Sequence, residues 1–258
     1  MMKKTIETVS AYSREGYSEE SSIQSVSQDG DYIMLGNLKL CKRDLQAALM
    51  DSIVVQQPYT PSVCSKFANP GPMGLCAFGI TSLTLCCFHA GIGGVEIPNA
   101  VLGLAYFYGG IVQLLAGLWE FFVGNTFGCT ALTSFGTFWL SWAAISTPAF
   151  GIKEAYAADP EQLRTATALF LTGWAIFSFM LTTLTFKSSI AFTSLFAFLT
   201  LTFILLAAHD FTGISEVGVA AGIIGIITSF LALYNAFSGV ANKQNSYFGA
   251  KVIPLNQN

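Results

Sequence analysis

Charged residues are scarce in this chain, and histidines are almost absent. The 258 residues include 12 Lys and Arg, 15 Asp and Glu and 2 His, while 53% of the residues are apolar. Seven of the basic and eight of the acidic residues precede residue 67, so the remainder is nearly free of charge. This composition is atypical of a water-soluble domain of the same length, in which about a quarter of the residues are charged.

Motifs that carry enzymatic or metal chemistry are missing as well. There is no Ser/His/Asp grouping, no His-x-x-His pair and no Lys-containing Gly-rich loop. The 6 cysteines have no metal-like spacing, and four of them fall in apolar stretches where Cys behaves as a small hydrophobe. We therefore expect no enzymatic activity, no cofactor, no metal site and no nucleic-acid partner.

Long charge-free runs fill the chain after residue 66. A membrane-spanning helix needs about 20 mostly apolar residues, whereas barrel strands alternate over about ten, and these runs do not alternate. The sequence predicts an all-α integral membrane protein: a polar, largely disordered cytoplasmic tail over 1–66, a six-transmembrane-helix bundle over 67–242 and a short cytoplasmic tail over 243–258. The predicted helices cover 71–90, 99–120, 127–148, 166–186, 189–208 and 217–238.

The first 30 residues lack an apolar run, which argues against a cleaved signal peptide and leaves the first helix to direct insertion. Orientation then follows from the basic residues near the helix ends. One side of the predicted bundle has more of them than the other, which favours both termini in the cytoplasm. These residues are Lys66, Lys187, Lys243 and Lys251, against Lys153 and Arg164.

Polar residues mark three helix ends on the predicted cytoplasmic side. Asn69, followed by Pro70, starts the first helix, and Asn125 or Thr126 caps the third. Free N–H groups and the helix dipole at such ends favour anions. Glu120 closes the second helix on the same side and is the only acid in the second and third helices. It either has a proton-transfer or gating role or simply reaches water at the interface.

Three apolar residues share one depth in the predicted bundle. Phe78 and Phe135 each lie nine residues beyond a helix start, and Leu199 lies twelve residues beyond Lys187. At 1.5 Å per residue these positions are roughly 13–18 Å deep, near the middle of a ~30 Å hydrocarbon core. They either form a ring at the midplane or are ordinary core residues.

Residues 69–75 read Asn-Pro-Gly-Pro-Met-Gly-Leu. Further distinctive segments are Phe-Tyr-Gly-Gly at 107–110 with Gln113, Ala-Gly-Leu-Trp-Glu at 116–120, Gly-Asn-Thr-Phe-Gly at 124–128 and Phe-Trp-Leu at 138–140. Together these segments resemble the acetate uptake transporter family, which includes bacterial succinate–acetate permeases and fungal acetate and ammonia-export transporters. The family signature is Asn-Pro-Ala-Pro-Leu-Gly-Leu, and the resemblance covers 67–242.

The resemblance implies a homo-hexameric ring in the lipid bilayer, with one substrate path through each protomer. It also implies a midplane constriction made by a Phe, a Tyr and a Leu, at positions that fall on Phe78, Phe135 and Leu199. Since the Tyr is Phe135 here, the constriction lacks a phenolic hydroxyl.

The resemblance implies transport of acetate and other short-chain monocarboxylates, coupled to or accompanied by a proton, at the plasma membrane. Export of ammonia or ammonium is an alternative because fungal relatives have that proposed activity and aromatic faces bind cations. A third alternative is a non-transporting sensor of acetate or nutrients that signals through the long N-terminal tail.

Overall fold

The computed structural model describes residues 26–29, 32–35, 38–41, 68–95, 97–242 and 244–255. The chain forms two compact units, Met1–Val54 and Val55–Asn258. In the first unit, β1 (Val26–Asp29), β2 (Tyr32–Leu35) and β3 (Leu38–Cys41) form an antiparallel sheet in the order β1-β2-β3. These strands lie within the tail for which the sequence predicted no regular structure. The rest of that predicted tail, 1–66, lies outside the described residues, and so does Phe67.

The described part of the second unit contains six long helices. Short connections join them, and three turns of 3₁₀-helix lie in those connections, at Ile92–Gly94, Pro148–Phe150 and Glu154–Tyr156. The helices are α1 (Gly71–His89), α2 (Ala100–Phe122), α3 (Thr126–Ser146), α4 (Pro160–Leu184), α5 (Ile190–Thr212) and α6 (Ser215–Val240).

Five of these helices, all except α3, are long and apolar enough to cross a membrane by length and composition. For those five, the prediction of helices long and apolar enough to span a membrane is confirmed. Helix α3 has 21 residues, but a third of them are Thr or Ser, which lowers its hydropathy. Several of these hydroxyls donate to backbone carbonyls one turn earlier, such as Thr137 to Thr133 and Ser141 to Thr137. A sixth span at α3 stays a prediction.

The largest boundary difference concerns α4, which begins at Pro160 rather than at the predicted residue 166. The Asp159 side chain accepts a hydrogen bond from the Gln162 N–H at 3.1 Å and caps the helix. Pro160 occupies the first helical position, where a missing N–H costs nothing. The prediction placed the start of α4 after the last charged residue, Arg164. The capping residues instead start the helix at Pro160, so its first turn includes the charged Glu161.

The helices pack as a closed ring in which sequence neighbours are also spatial neighbours. Helix α1 packs against α2 and α6, α2 against α3, and α5 against both α4 and α6. Aromatic side chains close the ring between α3 and α4, since the Phe138 and Phe170 rings stack with centroids 5.7 Å apart. Helices α1, α3 and α5 therefore begin at one end of the bundle, the Asn69 end. They finish at the other, the His89 end.

Small residues allow the closest helix contacts. A Cβ added at Gly222 in α6 would lie 2.5 Å from the Ala90 backbone nitrogen at the end of α1. Gly117 in α2 similarly lies against the Thr133 backbone of α3, so a side chain there would collide with main chain. These glycines allow the backbones of α1 and α6, and those of α2 and α3, to come into direct contact.

A segment after α6 returns to the Asn69 end of the bundle. The Ile190 N–H donates to the Ile253 carbonyl and the Leu255 N–H donates to the Ser188 carbonyl, both at 2.9 Å. The Tyr234 hydroxyl donates to the Lys251 carbonyl at 2.9 Å. This C-terminal strap, residues 251–255, therefore pairs with the chain at the start of α5.

Candidate functional site

A small cavity lies inside the helix ring, with a volume of about 20 Å³. That volume holds about one water molecule. The three residues predicted to share one depth all line it, so the structure brings Phe78, Phe135 and Leu199 together. The complete lining is Leu75, Phe78, Gln113, Ala131, Leu132, Phe135, Leu195, Phe196 and Leu199.

Phe135 lies at the centre of an aromatic cluster. Its ring centroid is 6.1 Å from that of Phe78, and it stacks on Phe203 at 6.2 Å with an interplanar angle of 8°. Trp174 and Phe177 of α4 contact the same ring at 5.9 and 5.5 Å. Tilted and offset contacts of this kind favour a fixed ring orientation. Phe135 is therefore held by α1, α4 and α5 together.

Gln113 is the one side chain lining the small cavity that has hydrogen-bonding groups. It is 1% exposed, and neither its amide oxygen nor its amide nitrogen has a hydrogen-bond partner among the described residues. Leaving such a buried group unpaired costs about 1–3 kcal/mol. The amide is thus available to a molecule that enters the cavity.

A second unpaired polar group lies on α1. The Thr81 hydroxyl is fully buried and has no partner among the described residues. It lies against Gly109, one helical turn before Gln113, because a Cβ added at Gly109 would be 2.7 Å from the hydroxyl oxygen. Sequence reasoning missed both groups as site residues. The available signal was a Gln and a Thr within otherwise apolar runs.

A larger cavity of about 420 Å³ opens at the His89 end. Phe138 lines this cavity and contacts Phe203 at 5.1 Å, and Phe203 stacks on Phe135 of the small cavity. The aromatic cluster therefore separates the two cavities. The polar residues that line the larger one are His89, Asn99, Ser146, Lys153, Thr167 and Asp210.

The predicted helix caps lie at the Asn69 end. The Asn125 side chain accepts from the Gly128 N–H at 3.0 Å and caps α3, while Thr126 is the exposed first residue of that helix. The Asn69 side chain accepts from the Gly71 N–H at 3.0 Å. The residue that flanks α1 directly is Pro70, whose φ of −81° is nearly helical, so Asn69 lies one residue further out than a cap.

Glu120 is completely buried, so the alternative in which it simply reaches water is wrong. Its carboxyl group lies beside the Asn125 amide and directly over Gly128. A Cβ added at Gly128 would be 2.8 Å from the carboxyl carbon and 2.5 Å from the amide nitrogen. Only a glycine at this position leaves room for both groups. Neither Glu120 nor Asn125 lines the small cavity.

The described residues contain no cluster of three His, Cys, Asp or Glu that could hold a metal ion. The two histidines do approach each other, with ring centroids 6.5 Å apart. The His209 Nδ1 is 2.8 Å from the Ile214 carbonyl oxygen, and His89 lines the larger cavity.

The sequence matches the GPR1/FUN34/yaaH family over residues 53–257. It is 46% identical to ammonia transport outward protein 2 of Saccharomyces cerevisiae, with 90% of this chain and 82% of that protein covered. It is 44% identical to acetate permease A of Emericella nidulans, with 74% and 66% covered. The structure is similar to that of the bacterial acetate channel SatP, with a TM-score of 0.63 and 36% identity over 70% of this chain and 96% of that one.

Proposed function

This chain belongs to the GPR1/FUN34/yaaH family, and from that premise we propose that it moves acetate and other short-chain monocarboxylates across a membrane. It is an integral membrane protein with five strongly apolar helices. The observation that carries the proposal is the pair of cavities inside the helix ring, one wide and polar, the other small and apolar. Acetate also appears in the names of the Emericella and bacterial relatives.

In this proposal Phe78, Phe135 and Leu199 form the constriction of the transport path. The cavity between them has room for about one water molecule, so acetate passes only when the rings move. A bare carboxylate in such surroundings costs several kcal/mol or more, since no cation lines the cavity. That cost favours entry of the acid together with a proton.

The Asn69 end is the second mouth of the proposed path. The N-termini of α1 and α3 lie there, and Asn69, Pro70, Asn125 and Thr126 form their first residues and caps. Partial positive charge at these ends attracts a carboxylate. Glu120, buried beside Asn125, has a proton-transfer or gating role at this mouth.

The proposal extends to the number of membrane spans and to the oligomeric state. Helix α3 completes six spans, and six copies form a ring in the plasma membrane with both termini in the cytoplasm. Residues 67–242 are the transport domain, between the tails at 1–66 and 243–258. The outward surface of α2 is apolar, with Phe107, Phe121 and Phe122 each about two-thirds exposed, and it faces lipid or neighbouring copies.

The test is uptake of labelled acetate into proteoliposomes with and without an inward proton gradient. Protein-free liposomes measure the leak of acetic acid through lipid, which is subtracted. We expect protein-dependent uptake that the gradient accelerates. Absence of protein-dependent uptake by correctly inserted protein would overturn the proposal.

Export of ammonium is the second candidate, because the relative at 46% identity is named an ammonia transport outward protein. The aromatic rings of the constriction offer faces that bind cations, but the helix N-termini at the Asn69 end disfavour them. The same liposomes, tested with labelled methylammonium, separate the two candidates. Flux of methylammonium without flux of acetate would favour export of ammonium.

A further inference from the structure

We propose that Gln113, assisted by Thr81, binds the substrate in its neutral carboxylic acid form and discriminates against the carboxylate anion. The inference rests on the proposed function and specifies which species the constriction accepts. It assigns the proton to the substrate itself while the substrate passes the small cavity.

The hydrogen-bonding groups of Gln113 are complementary to a protonated acid. A glutamine amide offers one carbonyl acceptor and an NH₂ donor on the same edge. A protonated carboxyl group offers the matching O–H donor and carbonyl acceptor, so the two groups can form a pair of parallel hydrogen bonds. A carboxylate has only acceptors, so it would engage the Gln113 Nε2 and place a negative oxygen against Oε1. The unpaired state of both amide atoms fits an acid better than an anion.

The wall of the small cavity carries no charge. All nine residues that line it are uncharged, and eight of them are apolar. An anion there would have no cation to compensate it, and the cost of dehydrating it would remain. Because Phe135 has no hydroxyl, the Gln113 amide is the hydrogen-bonding group on the cavity wall. The chemistry of the wall therefore suits a small, neutral molecule with one donor and one acceptor.

An irregular stretch of helix positions Gln113. The residue follows a nine-residue π-helical segment, Leu104–Val112, and begins the α-helical part Gln113–Phe122. A π segment changes the rotation of the residues that follow it, and such segments are frequent at functional sites. The same segment places Gly109 against Thr81, so a second unpaired group, which does not itself line the small cavity, lies against the helix that bears Gln113. Helices α1 and α2 together thus supply two buried polar groups next to the constriction.

The experiment uses two competitors of similar size against labelled acetate in proteoliposomes of the full chain. Acetamide is uncharged and offers an N–H donor and a carbonyl acceptor, just as acetic acid offers a donor and an acceptor. Methanesulfonate is an anion at every accessible pH. We expect acetamide to inhibit protein-dependent acetate uptake at concentrations at least about tenfold lower than methanesulfonate does, which corresponds to about 1.4 kcal/mol or more.

Two variants assign the effect to the proposed groups. Gln113→Met keeps the length of the side chain and removes both polar atoms, and Thr81→Val keeps the shape of threonine. We expect Gln113→Met to lose acetamide inhibition and most of the acetate uptake, and Thr81→Val to weaken both less. Size-exclusion profiles and thermal unfolding of each variant identify any that fail to fold, in which case Gln113→Leu replaces Gln113→Met.

The outcomes separate the inference from the function on which it rests. Acetate uptake inhibited equally by methanesulfonate and acetamide would overturn the neutral-acid site and leave the transport function standing. A folded Gln113 variant that keeps acetamide inhibition would overturn the site in the same way. If the unaltered protein carries no acetate, the proposed function fails and this inference fails with it.

Discussion

The two cavities of this molecule differ in almost every physical property. The larger one, at the His89 end, has a volume of about 420 Å³ and is lined by Lys153, Asp210 and His89 among other polar groups. The smaller one has a volume of about 20 Å³ and a single amide on an apolar wall. A solute in the first can keep its water shell, whereas in the second it must lose it. In the proposed transport path, selection would therefore occur where dehydration is forced, at Phe135 and Gln113.

The largest expected effect comes from placing the same charge in each cavity. Leu199 lines the small cavity and Leu206, two turns later on α5, lines the larger one. We expect Leu199→Asp to reduce acetate uptake by roughly 10³-fold or more, because a carboxylate on this apolar wall costs several kcal/mol to dehydrate and otherwise holds water in a cavity with room for about one water molecule. Leu206→Asp should change it by less than about threefold, since water reaches that site. Uptake in proteoliposomes measures both.

Equal losses in the two Asp variants would contradict the distinction between the cavities. Thermal unfolding in detergent is the control, because a destabilised Leu199→Asp protein would lose uptake for a different reason. A Leu199→Asn variant, which adds a polar group without a formal charge, then separates loss of activity from loss of fold.

An intermediate effect is expected at Glu120, which lies outside both cavities. If its carboxyl group transfers protons at the Asn69 end, Glu120→Gln should lower gradient-driven uptake by about 10²-fold, the usual contribution of a positioned acid or base. Glu216→Gln, at an exposed glutamate in the first turn of α6, is the matched control. Uptake by Glu120→Gln at the level of the control would exclude a proton-transfer role.

The smallest expected effect tests the hydroxyl that this chain lacks. Phe135→Tyr adds a hydrogen-bond donor to the aromatic side of the small cavity, and Phe138→Tyr adds one beside the larger cavity as the control. A donor stabilises an anion, so we expect Phe135→Tyr to strengthen inhibition by methanesulfonate about two- to tenfold, within the range of a net hydrogen bond. No change in Phe135→Tyr, or an equal change in Phe138→Tyr, would show that the added hydroxyl does not reach the substrate.

Much of the helical unit was predictable from the sequence, because a long apolar run without charged residues is the dominant signal for a membrane helix. Each predicted helix corresponds to a helix of the structure, and five of the six are apolar enough to span a membrane. The three residues counted to one depth, Phe78, Phe135 and Leu199, line the same small cavity. That count succeeded because α1, α3 and α5 are regular helices from start to end, so 1.5 Å per residue holds along each. The transport roles of these three residues stay a prediction.

The role of Gln113 could not be predicted in the same way. Residue positions around a helix are counted at 3.6 per turn, and the π segment Leu104–Val112 breaks that count immediately before Gln113. The direction of the amide therefore depends on a local irregularity with no clear sequence signature. The burial of Glu120 was not predicted for another reason. The room for its carboxyl group exists because residue 128, on the neighbouring helix α3, is a glycine without a side chain.

The three strands had a signal that the prediction did not use. Gly30-Asp31 and Gly36-Asn37 flank the apolar run Tyr32–Leu35, and Gly followed by Asp or Asn beside such a run is typical of two-residue hairpin connections. The prediction of a disordered tail rested instead on the many Ser and charged residues around these strands.

The C-terminal strap has a practical consequence for anyone who handles this protein. Because the backbone of Ile253 and Leu255 is hydrogen-bonded to that of Ile190 and Ser188, the strap is tethered to the start of the helix that bears Leu199. An affinity tag or fluorescent reporter fused after residue 255 is therefore attached close to α5 and can perturb the start of that helix.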